Sequence, residues 1–166
     1  GLPLIIKPVN EGSSIGMSKA EKADELEAAF LLASRYGTVM AEQWVTGSEY
    51  TVAWLEDTVL PAIKLETPHV FYDYDAKYKA NDTRYICPCG LDEKQLKKLN
   101  DIVTKTIDVC GMRHWGRVDL MLNQQGDFQV IEASTIPGMT DHSLVPMAAK
   151  QAGLSFQQLG LKLIEL

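Results

Sequence analysis

The amino-acid sequence predicts a mixed fold of helices and strands, on three observations. Residues 115–122, "WGRVDLML", and 128–134, "FQVIEAS", flank "NQQGD" as two alternating segments around a glycine turn, the pattern of a β-hairpin. Asp92 with Gln95 forms a capping box ahead of Leu96, Leu99, Val103 and Ile107, an apolar stripe at helical spacing. The chain opens on "LPLIIK", a buried-strand pattern that stops at Lys7-Pro8 because proline cannot donate into a sheet.

The remaining elements follow in order. Ser18 with Glu21 has the capping-box spacing, and Leu26, Phe30 and Ala33 then recur as on a helix until Gly37. Residues 38–45, "TVMAEQWV", read as a strand, "TGSE" as a break and a domain boundary, and 50–55 and 59–66 as two further strands. The aromatic, turn-rich stretch 67–90 reads as a loop, and loops of that length within compact domains are usually functional. Gly111 closes the helix that Asp92 opens, and Ser155 with Gln158 caps a last one.

The totals bound the function classes. A chain of 166 residues, 46% hydrophobic and 23% charged, can bury a core as one domain or two small ones. No apolar run approaches the roughly 20 residues that cross a bilayer, and no signal segment opens the sequence, so a cytoplasmic location is expected. The net charge of −6 disfavours nucleic acid and anionic membranes as partners, and a polyanionic ligand then needs a local basic site. Cys87, Cys89 and Cys110 fit neither a disulfide framework nor a zinc ribbon and read as reduced.

With a loop of four residues, Gln124 to Asp127, the hairpin sets Asn123 opposite Phe128, Met121 opposite Val130, Asp119 opposite Glu132 and Arg117 opposite Ser134. Val118, Leu120, Leu122, Ile131 and Ala133 then form the core face. Two facing carboxylates repel by roughly 0.2–1 kcal/mol, more when buried, so a cation is expected between them. Oxygen ligands without His or Cys favour Mg2+, which completes its shell with water and substrate phosphates. The competing reading is equally open at this point: two separate surface acids, one of them paired with Arg117.

"KPVNEGSSIGMS" sets a lysine at a strand end before a Gly-Ser-Ser run whose small residues leave backbone N–H groups able to approach an anion. It lacks the G-K-[ST] ending of a Walker loop, and the commoner role of such a run is a plain connector. "AEQWVTGSE" offers a strand edge against which a nucleotide base could lie, although an ordinary strand with a core tryptophan has the same pattern.

Taken together, "KPVNEGSSIGMS", "AEQWVTGSEYTVA", "FYDYDAKY", "GRVDLML", "IEASTIPGMT" and "HSLVPMAAKQAG" resemble, in order and along the whole chain, the C-terminal part of the D-alanine-D-alanine ligases of the ATP-grasp superfamily. The resemblance implies an α+β ATP-grasp fold, with residues 1–49 an incomplete central domain and 50–166 the C-terminal catalytic domain. It also implies ATP and Mg2+, with Mn2+ as its substitute, an acyl phosphate of one D-alanine attacked by the amine of a second, a role in peptidoglycan synthesis, and commonly a homodimer. By position, Lys7 and Lys77 hold the nucleotide phosphates; Glu42, Gln43, Trp44 and Val45 line the adenine; Glu49 takes the ribose; and Phe71 packs near the base. Asp119 and Glu132 hold Mg2+. Arg117 and the Gly138 N–H face the oxyanion of the tetrahedral intermediate, Ser143 and Leu144 receive the carboxylate of the second D-alanine, and Ser13 and Tyr78 help close the loops over the substrates.

Tyr78 in its loop goes, in that family, with D-alanine as acceptor. The family pattern Glu-x-Asn-x-x-Pro-Gly is broken at Ser134, where the asparagine oxygen would ligate a second metal. A serine oxygen sits on a shorter side chain, and a bridging water would be needed to replace it. Acceptance of D-lactate or D-serine, and a nucleotide-binding module with weakened metal chemistry, are the alternatives. The 166 residues, read as a fragment, are expected not to form dipeptide alone.

Overall fold

The computed structural model describes residues 1–67 and 83–166. These form two compact units, one built from Gly1–Val45 and the other from Thr46–Glu66 with Arg84–Leu166.

In the first unit β1 (Leu4–Pro8) is the middle of an antiparallel sheet in the order β2-β1-β3, with β2 at Ser18–Ala20 and β3 at Val39–Gln43. Helix α1 (Leu26–Ser34), entered by a 3-10 turn at Ala23–Glu25, packs on it through Ala29 and Ala33, which close over Ile6 and Ala20. The helix therefore begins several residues later than the Ser18 capping pattern predicts. Ser18 is instead paired with Ile6 in the sheet, and the N-terminal acceptor is Glu25, whose Oε2 takes the N–H groups of Glu21 (2.7 Å) and Lys22 (3.3 Å). Phe30, expected in the buried stripe, is 54% exposed, because small alanines and not the phenylalanine meet the sheet.

The second unit is a sheet in the order β7-β6-β4-β8-β9, with a short β5 also on β4. The strands are β4 (Gly47–Leu55), β5 (Thr58–Val59), β6 (Ile63–Glu66), β7 (Arg84–Ile86), β8 (Trp115–Asn123) and β9 (Phe128–Ser134), and every pairing is antiparallel. The strand expected over 59–66 is broken before Ile63 by Pro61, which has no N–H to give, and the expected loop contains β7 at its far end. Helix α2 (Glu93–Val109) carries the predicted cap: Asp92 accepts the Gln95 N–H at 2.8 Å. Its Leu99 and Val103 pack in one buried cluster with Tyr50, Val52, Val118, Leu120 and Phe128. Each aliphatic side chain and the phenylalanine contribute roughly 1.5–3 kcal/mol when buried. Helices α3 (Leu144–Gln151) and α4 (Phe156–Glu165) complete the unit, and α3 packs on β4. Sequence periodicity alone does not mark α3, whose Pro146 lies in the first helical turn, where proline is tolerated.

Candidate active site

The hairpin of β8 and β9 brings the two acids together by a route different from the simple register. Leu122 pairs with Phe128, Met121 with Gln129 and Leu120 with Val130, all one residue off the expected alignment. The loop is Asn123–Asp127, tightened by the Asn123 side-chain oxygen, which accepts the N–H groups of Gln125 (3.0 Å) and Asp127 (2.8 Å). A β-bulge then intervenes, after which Asp119 pairs with Glu132 and Arg117 with Ser134 as expected. Ile131 is the extra residue. Phe128 and Glu132 are four apart and would share one face of a regular strand; the bulge turns Phe128 into the core and leaves Glu132 beside Asp119. The expected core role of Ile131 thus passes to Phe128, and Ile131 is 39% exposed.

Asp119 is paired with Arg117, the partner that the competing reading gives one of the two acids. The Arg117 Nε donates to Asp119 Oδ1 (2.8 Å) and its Nη2 to Oδ2 (2.7 Å), while Nη2 stands 4.0 Å from Glu132 Oε1. Asp119 and Arg117 are largely buried and Glu132 half exposed, so Asp119 is fixed and Glu132 open to a ligand. The third partner is Thr51 of β4, which the sequence reading missed: its hydroxyl donates to Asp119 Oδ1 at 2.6 Å. Only the β4–β8 register, Thr51 opposite Asp119, makes this contact visible. Ser134 is half-buried across from Arg117.

Beyond Ser134 the chain turns through buried Pro137 and exposed Gly138 to the start of α3. Ser143 holds the N-cap position of α3 without capping it. Its hydroxyl instead accepts the Thr140 N–H (3.0 Å) and bonds the Thr140 hydroxyl (2.9 Å), so the orphan donors of the first turn have no cap from Ser143. A Cβ on Gly138 would stand 3.2 Å from the Ser143 Oγ, which places these two expected substrate residues side by side. Leu144, the first residue of α3, is buried.

In the first unit Lys7 forms an ion pair with Glu42, one strand apart. Lys19, not singled out by sequence, places its ammonium 4.7 Å from the centre of the half-buried Trp44 ring. Gln43 is exposed and Val45 half-buried. Ser13 and Ser14 both take left-handed backbone conformations (φ 53 and 61), a cost of about 1–3 kcal/mol per residue that is typical of ligand-handling loops. Gly16 is required there, since a Cβ would strike the Tyr36 ring at 2.5 Å. Glu49, on β4 in the second unit, lies opposite Met121 and Leu65. Phe71, Lys77 and Tyr78 lie outside the described residues.

Among the described residues no three His, Cys, Asp or Glu side chains gather as a closed metal site. Two facing carboxylates with a nearby serine hydroxyl nevertheless fit a hard divalent ion that keeps most of its shell for water and phosphate. Each carboxylate oxygen offers two lone pairs; Asp119 Oδ1 has both engaged, and Oδ2 has one engaged by Arg117.

Residues 1–165 match the family described as D-ala D-ala ligase C-terminus. The D-alanine--D-alanine ligase of Pseudomonas putida (strain GB-1) is 56% identical over 99% of the chain and 52% of its own length. The crystal structure of the VanG D-Ala:D-Ser ligase from Enterococcus faecalis superposes with a TM-score of 0.84 at 34% identity, covering 99% of this chain and 49% of that one. A D-alanine--D-Alanine ligase from Bacillus anthracis complexed with ATP gives 0.84 at 26% identity, covering 99% and 52%. The chain thus spans about half the length of the curated relatives it matches.

Proposed function

Because the chain belongs to the D-alanine-D-alanine ligase C-terminus family, we propose that it supplies the nucleotide- and metal-handling half of an ATP-dependent ligase that joins two D-alanines for peptidoglycan synthesis. The observation that carries this reading is the Asp119–Glu132 pair with Arg117 between its members, set beside the loop that leads to α3.

A divalent ion, Mg2+ or Mn2+, would be held by Asp119 and Glu132, with Ser134 as an indirect third contact, and would supply charge neutralisation for the phosphates of ATP. Lys7 and Lys77 hold those phosphates; Glu42, Gln43, Trp44, Val45 and Phe71 surround the adenine, and Glu49 binds the ribose. Arg117, a fixed donor at the polar face, and the N–H of Gly138 stabilise the negative charge that develops as the amine of the second D-alanine attacks the acyl phosphate carbon. Ser143 and the first turn of α3 orient that D-alanine by its carboxylate, which suits the donor end of a helix. Ser13 and Tyr78 close the loops over the pair, excluding water that would otherwise hydrolyse the acyl phosphate.

D-Serine as acceptor is the second reading, favoured by the likeness to the VanG D-Ala:D-Ser ligase. Phosphate release by the full-length protein, with D-alanine alone and then with D-serine or D-lactate in competition, separates them. D-Alanyl-D-alanine as the product, formed with one phosphate per dipeptide and only in the presence of Mg2+, is expected. ATP binding without turnover, and a large gain in activity on Ser134→Asn, would instead make this a nucleotide-binding module with weakened metal chemistry.

A further inference from the structure

We propose that Thr51 is a positioning residue for the metal carboxylate, its buried hydroxyl fixing Asp119 so that Oδ2 is the oxygen presented toward Glu132; this rests on the metal reading of the Asp119–Glu132 pair. Thr51 is 2% exposed and, among the described residues, the one buried residue outside the hydrophobic, aromatic, glycine and proline types. It sits on β4 between β6 and β8, opposite Ile63 on one side and Asp119 on the other. A valine would satisfy strand propensity at such a place equally well, and a buried hydroxyl is costly unless it finds a partner. Here the partner is a carboxylate oxygen at 2.6 Å, a short charge-assisted bond.

The division of labour on Asp119 follows from its three donors. Oδ1 receives both Thr51 and Arg117 Nε, which uses both its lone pairs; Oδ2 receives Arg117 Nη2 alone. That same Nη2 reaches toward Glu132 at 4.0 Å, so Oδ2 lies on the side of the second acid. Arg117 is also assigned to the oxyanion, so its guanidinium serves two partners. Thr51, rooted in the middle of the sheet between β6 and β8, is given no second partner in this role and is the dedicated donor to Oδ1.

The test is Mn2+ binding to the full-length protein, followed by the electron paramagnetic resonance of free Mn2+ in the presence of ADP, with the melting temperature recorded alongside. Thr51→Val should weaken Mn2+ about tenfold or more, the usual effect of removing a partner of a metal ligand, while Thr51→Ser restores the affinity. Should Thr51→Val not fold, Thr51→Ala against Thr51→Ser provides the same contrast. Wild-type Mn2+ affinity in the Val and Ala variants, with Asp119→Asn losing it, would overturn the role of Thr51 and leave the metal reading standing. Wild-type affinity in Asp119→Asn as well would show that the metal reading itself is wrong.

Discussion

Arg117 and Asp119, two residues apart on one strand, are joined by a two-pronged hydrogen bond, and the guanidinium thereby occupies the space between two acids that face each other across the hairpin. Lysine has one charge centre and cannot reproduce this fork. Arg117→Lys should therefore lower kcat by about 10²–10³, the scale of losing one oxyanion donor, and destabilise the fold by about 1–3 kcal/mol as Asp119 loses a partner. Steady-state kinetics with urea unfolding checks both; an unchanged kcat with reduced stability would confine Arg117 to a structural role.

The bulge makes a sharper and less intuitive prediction. With Ile131 removed, β9 becomes a regular strand in which Phe128 still meets Leu122 and Glu132 still meets Asp119. Deletion of Ile131 should thus leave Phe128 buried and change Mn2+ affinity by no more than about threefold, under 1 kcal/mol. A large loss of affinity with an intact core would show that the twist of the bulge, and not pairing alone, aims Glu132.

Both outcomes bear on what the sequence could disclose. The pairing of Asp119 with Glu132 was legible, but only because two departures cancel: the loop begins one residue earlier than its glycine suggests, and the bulge restores the alignment. Neither leaves a trace in alternation, since Val130 and Ile131 are both apolar and both exposed. The capped helices at Asp92 and Ser155 were legible because their signals are local. Ser18 has the same local signal and lies in a strand, because pairing with β1 outweighs a cap. Thr51 and Lys19 act through non-adjacent segments, Thr51 across β4 and β8 and Lys19 over the ring of Trp44, and a single sequence holds no record of which segments become neighbours.

Gly138 lies 3.2 Å, measured from an added Cβ, from the Ser143 hydroxyl, and its backbone angle is one that alanine can adopt. Gly138→Ala should push that hydroxyl off its Thr140 partners and raise KM for the second D-alanine about tenfold, equivalent to 1.4 kcal/mol, with little change in melting temperature. A raised KM for ATP instead would place Gly138 elsewhere in the reaction.

On β6, Lys64 donates to Glu66 at 2.8 Å; this hydrogen bond and the lysine charge hold the Glu66 carboxyl below its ordinary range, and the same hydrogen bond raises Lys64. A lowered carboxyl contributes stability above its unfolded value, near 4.3, and loses it as the pH falls through the folded one. The raised lysine contributes below about 10.4 and loses that share as the pH climbs through its folded value. Because the pair is exposed the effect is small. Melting curves should show wild type above Glu66→Gln near pH 7, with the gap closing below about pH 4 and again in strong alkali. A gap constant with pH would show that the ion pair contributes nothing to stability.

The most direct measurement is a crystal structure of the full-length protein with Mn2+ and ADP, the ion located by anomalous scattering. One Mn2+ bound jointly by an Asp119 oxygen and a Glu132 oxygen is expected, with Thr51 still on Asp119 Oδ1. An ion bound away from both acids, with Arg117 still seated between them, would contradict this.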